Sequence, residues 1–365
     1  MSDNRRRYRA IHKALKEFYP FEPKGNVARR LNTLAGLISG IVGSNCAHLP
    51  KIAKKVPDYT KKESRVKRFS RWIDNECIEY SCYYLPYVEG LLSSLAHQPL
   101  LLVMDSSEMG RGCLTLMVSV IYKKRALPIA WIVVQGSSGH FPEETHVCLL
   151  ERVQAIVPEG CDVIFLGDGE FDGTMLQATI TTYGWEYVCR TAKNALICTE
   201  DDCFSLQEVD VLPGNCIGLY DVSFTHQAYG PVLAIAWWKA ECLEPIYLVT
   251  NMALVAEACY WYKKRFRIET FFSDQKSRGF NMHKSHISDP VRLSRLMIAA
   301  CLAYIWIIYL GVVAKRDDWV KIVHRTDRCD LSLFQLGLDL LEHFLDEHLS
   351  IPVAFQMPIL AESVR

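Results

Sequence analysis

Two kinds of hydrophobic patterning divide the chain. From residue 5 to about residue 95 apolar side chains recur every three or four positions. Val27, Leu31, Leu34, Leu37, Ile38 and Ile41 would line one face of a helix, with Arg29 and Arg30 on the other side. A second helix is predicted over 61–73, where Val66, Phe69, Trp72 and Ile73 share a face and Lys61, Lys62, Arg65, Lys67, Arg68 and Arg71 dominate the rest. Near residue 100 the pattern shifts to short apolar runs bounded by turn residues, as strands require. One run, 100–104, ends at Asp105. Two more, 114–122 and 128–135, flank a Lys123-Lys124-Arg125 turn, and a fourth, 163–166, ends in Gly167-Asp168-Gly169. Helices are expected over 145–157 and 174–182, and a strand over 186–189. Turn-rich strands follow from 195 to 250, including 233–238 and 246–250, and helical periodicity returns from Met252 to about Ser277. Three antiparallel strands, a helix, a parallel strand, a helix and a strand, then a β excursion and a helix, describe an α/β protein with a mixed sheet.

One segment, 296–314, runs nineteen residues without a charge, which is long enough to span a bilayer. It is a single segment late in the chain, flanked by basic residues on both sides, so a helix buried in the centre of a globular domain is the preferred reading over a membrane span. Half of the residues are apolar and 22% are charged, which excludes general disorder.

Lys plus Arg and Asp plus Glu both number 41, but the balance is uneven along the chain. Residues 1–75 hold 18 basic and 6 acidic side chains, so a basic arm is joined to an acidic body. Such an arm suits a polyanion. Basic residues occur in several successive helices, which favours contact with a phosphate backbone over a merely solvated face. The 14 cysteines are scattered, with no C-x-x-C, and the first residues lack the apolar run of a signal peptide. They read as reduced, mostly buried thiols of a cytoplasmic protein.

The candidate chemistry lies in the acids. Asp105 and Asp168 each end a buried strand. Alone, either could be a helix cap or turn former. Asp105 is followed by two serines, however, and Asp168 is bracketed by glycines. If the first and fourth strands are neighbours, as in a ribonuclease-H-type sheet, the two carboxylates approach closely and call for a divalent cation. A third acid, Glu269, lies in a helical pattern over 260–276. At about 100° per residue, Tyr262, Arg265, Glu269 and Lys276 project from one face, an arrangement suited to binding a metal and phosphates together. Glu170 and Asp172 contend for the second acidic position. His140 with His146, and His283 with His286, are weaker zinc candidates without nearby residues to complete a site.

The unbroken spacing Tyr-x2-Arg-x3-Glu-x6-Lys at Tyr262, Arg265, Glu269 and Lys276 resembles the signature of bacterial DDE transposases of insertion sequence family four, which includes hairpin-forming cut-and-paste enzymes. Asp105-Ser-Ser is similar to the family's first-Asp region, and Gly167-Asp168-Gly169-Glu170-Phe171 to its second. The resemblance implies a ribonuclease-H-like catalytic core in which Asp105, Asp168 and Glu269 hold two Mg2+ ions, with Mn2+ able to substitute. Tyr262, Arg265 and Lys276 would grip phosphates near the scissile bond and the hairpin. It implies double-stranded DNA partners, the terminal inverted repeats and the target, a homodimer in the paired-end complex, and a bacterial or archaeal cytoplasm, with no membrane.

On this resemblance, 1–95 is a helical DNA-binding region, 96–194 and 253–318 are the two parts of the core, 195–252 is a β-strand insertion, and 319–365 is a C-terminal helical region. Leu331 to Leu349 would offer a dimerisation surface. Where relatives carry a Trp that stacks on a flipped base, this chain has a Trp-free stretch, 244–250; Tyr247, Trp237 or Trp238 could replace it, or each could be core. The rival readings are a metal-dependent nuclease or resolvase of the same fold, and a domesticated, non-catalytic DNA-binding protein.

Overall fold

The N-terminal periodicity becomes six helices in a computed structural model, which describes residues 1–19, 21–136, 139–325 and 329–359. They are α1 (Asp3–Glu17), α2 (Gly25–Ser44), α3 (Leu49–Lys54), α4 (Lys62–Asp74), α5 (Tyr80–Tyr83) and α6 (Leu85–Leu95). The apolar stripe of α2 is buried from Leu34 to Val42, and Asn45 ends the helix in the left-handed conformation. The buried Tyr84 hydroxyl donates to the Pro128 carbonyl over 2.6 Å, tying these helices to the sheet that follows.

That sheet begins as an antiparallel meander of β1 (Leu100–Gly110), β2 (Cys113–Tyr122) and β3 (Arg125–Gln135). The connection through α7 (Glu143–Gln154) leads to β4 (Val163–Gly167), and α8 (Thr174–Thr182) leads to β5 (Glu186–Thr191). β4 lies parallel to both β1 and β5. The order β3-β2-β1-β4-β5 is the ribonuclease-H-like arrangement the resemblance implies. Every residue of β2 is buried, because α7 covers one face of the meander and helices from late in the chain cover the other. The β excursion supplies β6 (Leu196–Cys198), β7 (Cys203–Ser205), β8 (Cys216–Phe224), β9 (Tyr229–Trp237) and β10 (Ile246–Thr250). It extends the same sheet, since β10 pairs antiparallel with β5 and completes ten strands in the order β3-β2-β1-β4-β5-β10-β9-β8-β6-β7.

The chain ends in α9 (Val255–Tyr262), α10 (Arg267–Gln275), α11 (Pro290–Arg316), α12 (Val320–Val323) and α13 (Leu333–Asp346). Asp289 caps α11 by accepting from the Arg292 N–H, and Pro290 opens its first turn. The charge-free stretch is the body of α11 and lies inside the molecule, packed on β3, α2 and α13. The main hydrophobic core draws on residues from Ile11 to Met357, and a smaller cluster of Val313, Ala314, Leu336, Leu340 and Phe344 lies where α11 meets α13. Each large aliphatic side chain fully buried there contributes about 1.5–3 kcal/mol of transfer free energy.

Several expectations need correction. β1 continues through Asp105 to Gly110, because β2 pairs with it beyond the point where β4 stops. Arg125 belongs to β3 and is buried against Asp274, leaving Lys123 and Lys124 as the turn. The 253–277 helix breaks at Lys263–Phe266, so Tyr262, Arg265, Glu269 and Lys276 do not share one continuous helical face. The apolar side chains of α13 are buried on α11, which leaves that face unavailable for dimerisation. The thiols are not all reduced or mostly buried. Cys198 and Cys203 face each other across the β6–β7 pair and form a disulfide, while Cys77, Cys82, Cys216, Cys242 and Cys329 are exposed. Of the 319–365 stretch, 326–328 and 360–365 lie outside the described residues.

Candidate active site

The parallel pairing of β1 with β4 brings the first two acids together. Its last register pair is Val103 with Leu166, so Asp105 and Asp168 lie just beyond the paired ends of adjacent strands. Asp168 is fixed by its own loop. Its carboxylate accepts the Glu170 N–H over 3.0 Å, and its carbonyl accepts the Phe171 N–H over 3.0 Å. Gly167 is needed there because a Cβ would come within 2.6 Å of Phe171 Cβ. Asp105 accepts the Ser106 N–H over 2.7 Å. Glu269 stands in the first turn of α10, which packs on β1 and β3.

All three acids converge on Arg265, which occupies the turn between α9 and α10. Its Nη1 is 3.8 Å from Asp105 Oδ2 and 3.5 Å from Asp168 Oδ2, and its Nη2 is 3.4 Å from Glu269 Oε1. The guanidinium is buried, and its Nε has no hydrogen-bond partner among the described residues. One cation does not balance three carboxylates. Burial and the Asp168 carboxylate together push the Asp105 carboxyl up to about 7, against the pull of the Ser106 N–H and Arg265. Lys276, just past the end of α10, donates to Ser107 Oγ over 2.6 Å. Burial lowers its pKa, although Glu108 and Asp105 favour the charged form. Tyr262 is 1% exposed, so its ring backs the site and offers no open surface.

Glu170, the competing acid, points elsewhere. It accepts the Phe141 N–H over 2.9 Å, lies 3.3 Å from His140 Nδ1 and 3.5 Å from His146 Nε2, and receives the Ser106 hydroxyl over 3.4 Å. Burial alone would raise its pKa, but the His146 imidazole, the Phe141 N–H and the His140 imidazole outweigh it and hold the carboxyl low. It therefore braces the Asp168 loop against β1. Asp172 accepts from Thr191 over 2.6 Å. His286 packs edge-on against His48 at 5.3 Å.

Beside Asp168 and Arg265 opens a cleft of about 640 Å³, which Arg190, Lys193, Gln207 and Tyr247 also line. Arg190 and Lys193 stand outside the residues the sequence singles out; the signal for Arg190 was a basic residue within the strand pattern of β5, and Lys193 follows two residues after that strand. Tyr247 reaches the cleft, whereas Trp237 and Trp238 are not among its lining. Trp237 lies between Lys239 and Lys263, with ammonium groups 4.5 and 5.2 Å from its ring centroid, and Trp238 donates to the Cys242 carbonyl over 3.0 Å.

In the N-terminal region Arg29, Arg30, Arg68 and Arg71 line a groove of about 390 Å³ between α2 and α4. Lys61 and Lys67 are exposed and Lys62 is half-buried. Arg65 donates to the Val56 carbonyl over 2.8 Å, and Arg68 pairs with Asp58.

The donor set fits a divalent cation. Hard oxygen ligands in negative excess, one of them holding its proton up to about 7, are what a Mg2+ ion relieves. Among the described residues no three His, Cys, Asp or Glu side chains already surround one point, because the Arg265 guanidinium stands between the acids.

A mixed sheet that sets an acid within β1 beside another just past β4, and a helix bringing a third, defines a class of protein built around clustered carboxylates. Residues 100–306, more than half of the chain, match the family described as Transposase DDE domain, and the protein belongs to that family. No curated protein sequence matches it. Among solved structures it is similar to a piggyBac transposase synaptic complex with hairpin DNA, at 12% identity and a TM-score of 0.46, covering 98% of this chain and 85% of that one. It is similar also to human ENDOV, at 11% identity and a TM-score of 0.24, covering 57% and 88%. Both likenesses are distant, and the family assignment rests on the sequence match.

Proposed function

We propose that this transposase cuts DNA at the ends of a mobile segment and joins the freed 3′-hydroxyl strands to target DNA, with Asp105, Asp168 and Glu269 holding two Mg2+ ions that Mn2+ can replace. The observation that carries the reading is the convergence of three acids from β1, the β4 end and α10 on one guanidinium. Ions bound there would supply an activated water or 3′-hydroxyl and a stabilised leaving oxygen.

The chain's own residues have separate tasks. Asp105 and Asp168 hold fixed positions, because strand pairing and loop hydrogen bonds set their backbones. Arg265 and Lys276 present cations for phosphate oxygens, and buried Tyr262 supports the Arg265 turn from behind. Arg190 and Lys193 extend the positive surface along the cleft, and Tyr247 is the aromatic best placed to stack on a displaced base. The groove lined by Arg29, Arg30, Arg68 and Arg71 would follow a phosphate backbone, which supports reading 1–95 as the DNA-binding region.

The finer reading is a cut-and-paste enzyme of insertion sequence family four that passes through a hairpin. It acts as a homodimer on paired ends in a bacterial or archaeal cytoplasm. Incubation of the protein with a terminal inverted repeat taken from beside its own reading frame tests this. Mg2+ should yield a nick, a hairpin and, from pre-cut ends, strand-transfer product. Asp168→Ala should abolish all three while DNA binding persists. Cleavage without strand transfer would indicate the nuclease reading, and binding without any cleavage the domesticated one.

A further inference from the structure

Away from the acids, two sulfurs lie in contact. Cys216 opens β8 in the sheet extension, Cys259 lies in α9, and their Sγ atoms are 3.7 Å apart. The two differ in access, for Cys216 is exposed and Cys259 buried. Their surroundings are electropositive. Trp237 pairs with Cys216 across β8 and β9, and the Lys239 and Lys263 ammonium groups sit over its ring. The two ammonium groups act on the Cys259 sulfur, where they favour the thiolate, the form that attacks electrophiles. The hydrogen bond between the sulfurs divides them further. It lowers the Cys216 thiol below its ordinary value, whereas the same bond, with burial, raises Cys259 well above its own. One sulfur is thus reachable and acidic, and the other keeps its proton close at hand.

We propose that Cys216 and Cys259 form a hydroperoxide-reactive dithiol site, in which Cys216 takes the oxidant and Cys259 resolves it to a disulfide joining β8 to α9. In the first step the Cys216 thiolate attacks one peroxide oxygen. An S–O bond forms, the O–O bond breaks, and the departing oxygen leaves as water after taking up a proton. In the second step Cys259 attacks the Cys216 sulfenic acid. The S–S bond forms, the S–O bond breaks, and hydroxide leaves as water with the Cys259 proton. Two electrons pass from sulfur to peroxide, giving one disulfide and two waters. The sulfurs need close by only about 1.6 Å to reach bonding distance. The product would fasten the sheet extension to the helix that runs directly into the Arg265 turn, which gives the oxidation a route to the candidate active site.

The test uses the full chain and hydrogen peroxide at equimolar concentration, followed by N-ethylmaleimide and peptide mass mapping. Exposed Cys77 and Cys242 in the same molecules serve as internal references. Cys216 should be consumed about tenfold faster than either. A linked peptide containing Cys216 and Cys259, lighter by two hydrogens, should appear. Cys259→Ser should halt the reaction at a sulfenic acid on Cys216 that dimedone traps. The proposal is overturned if Cys216 reacts no faster than Cys77 and Cys242, or if its oxidation proceeds to sulfinic acid in the wild type without the Cys216–Cys259 link.

Discussion

The residues of the acidic cluster pose a problem of charge balance that the fold leaves half solved. Strand pairing brings Asp105 beside Asp168, and Arg265 returns a single positive charge to three carboxylates. The Asp105 carboxyl, pushed from its ordinary 3.8 up to about 7, registers the deficit. An acid whose pKa is raised on folding binds its proton more tightly in the folded state than in the unfolded one. Its contribution to stability is therefore largest at low pH and is lost as pH rises from about 4 to about 7. A difference of that size corresponds to about 4 kcal/mol at most. Metal-free protein should lose stability across this range in denaturant titrations, and Asp105→Asn should flatten the profile. A wild-type profile as flat as that of the variant would refute the assigned charge deficit. Added Mg2+ should also flatten the wild-type slope, because cation and proton compete for the same oxygens.

Among the elements, legibility followed the locality of the forces. The apolar run at 163–166 emerged as a strand because both of its faces are covered and every side chain carries the same signal, and 246–250 emerged as one although Tyr247 reaches the cleft. β1 outlasts its apolar run because pairing with β2 holds Ser106, Ser107 and Glu108 in extended form, a contact invisible in their own polarity. The break between α9 and α10 was equally hidden. Helical period continues smoothly through Lys263–Phe266, and only the tertiary fold shows Arg265 directed at three acids from a turn. Arg265 and Glu269 were nevertheless legible from their spacing along the chain, and Asp105 and Asp168 from the apolar runs they follow. The contact of α11 with α13 is also non-local. A Cβ on Gly337 would overlap the Ile307 carbonyl, and one on Gly311 the Leu333 carbonyl, so the two helices touch backbone to backbone. Gly337→Ala should cost about 1–3 kcal/mol or more in urea unfolding, far beyond what an exposed helical glycine would show. A change within about 0.5 kcal/mol would mean that the helices do not approach this closely.

Across the whole molecule, the 18 basic and 6 acidic side chains of residues 1–75 set a positive end against an acidic body that houses the carboxylate cluster. On the proposed function, this polarity would orient a polyanion before any specific contact forms. If the groove between α2 and α4 carries phosphates, a double Arg29→Ala, Arg71→Ala variant should bind end DNA more weakly. It should also reduce the slope of log affinity against log salt by about 2. An unchanged slope in fluorescence anisotropy titrations would remove the groove from the DNA path. Anomalous scattering from crystals soaked in Mn2+ tests most directly whether the three acids cage divalent ions. Wild-type protein should show Mn2+ bounded by Asp105, Asp168 and Glu269, with the Arg265 guanidinium displaced, and Asp168→Ala should lose the signal. Density for Arg265 unmoved among the acids, with no Mn2+ beside them at saturating concentration, would contradict the proposed metal site.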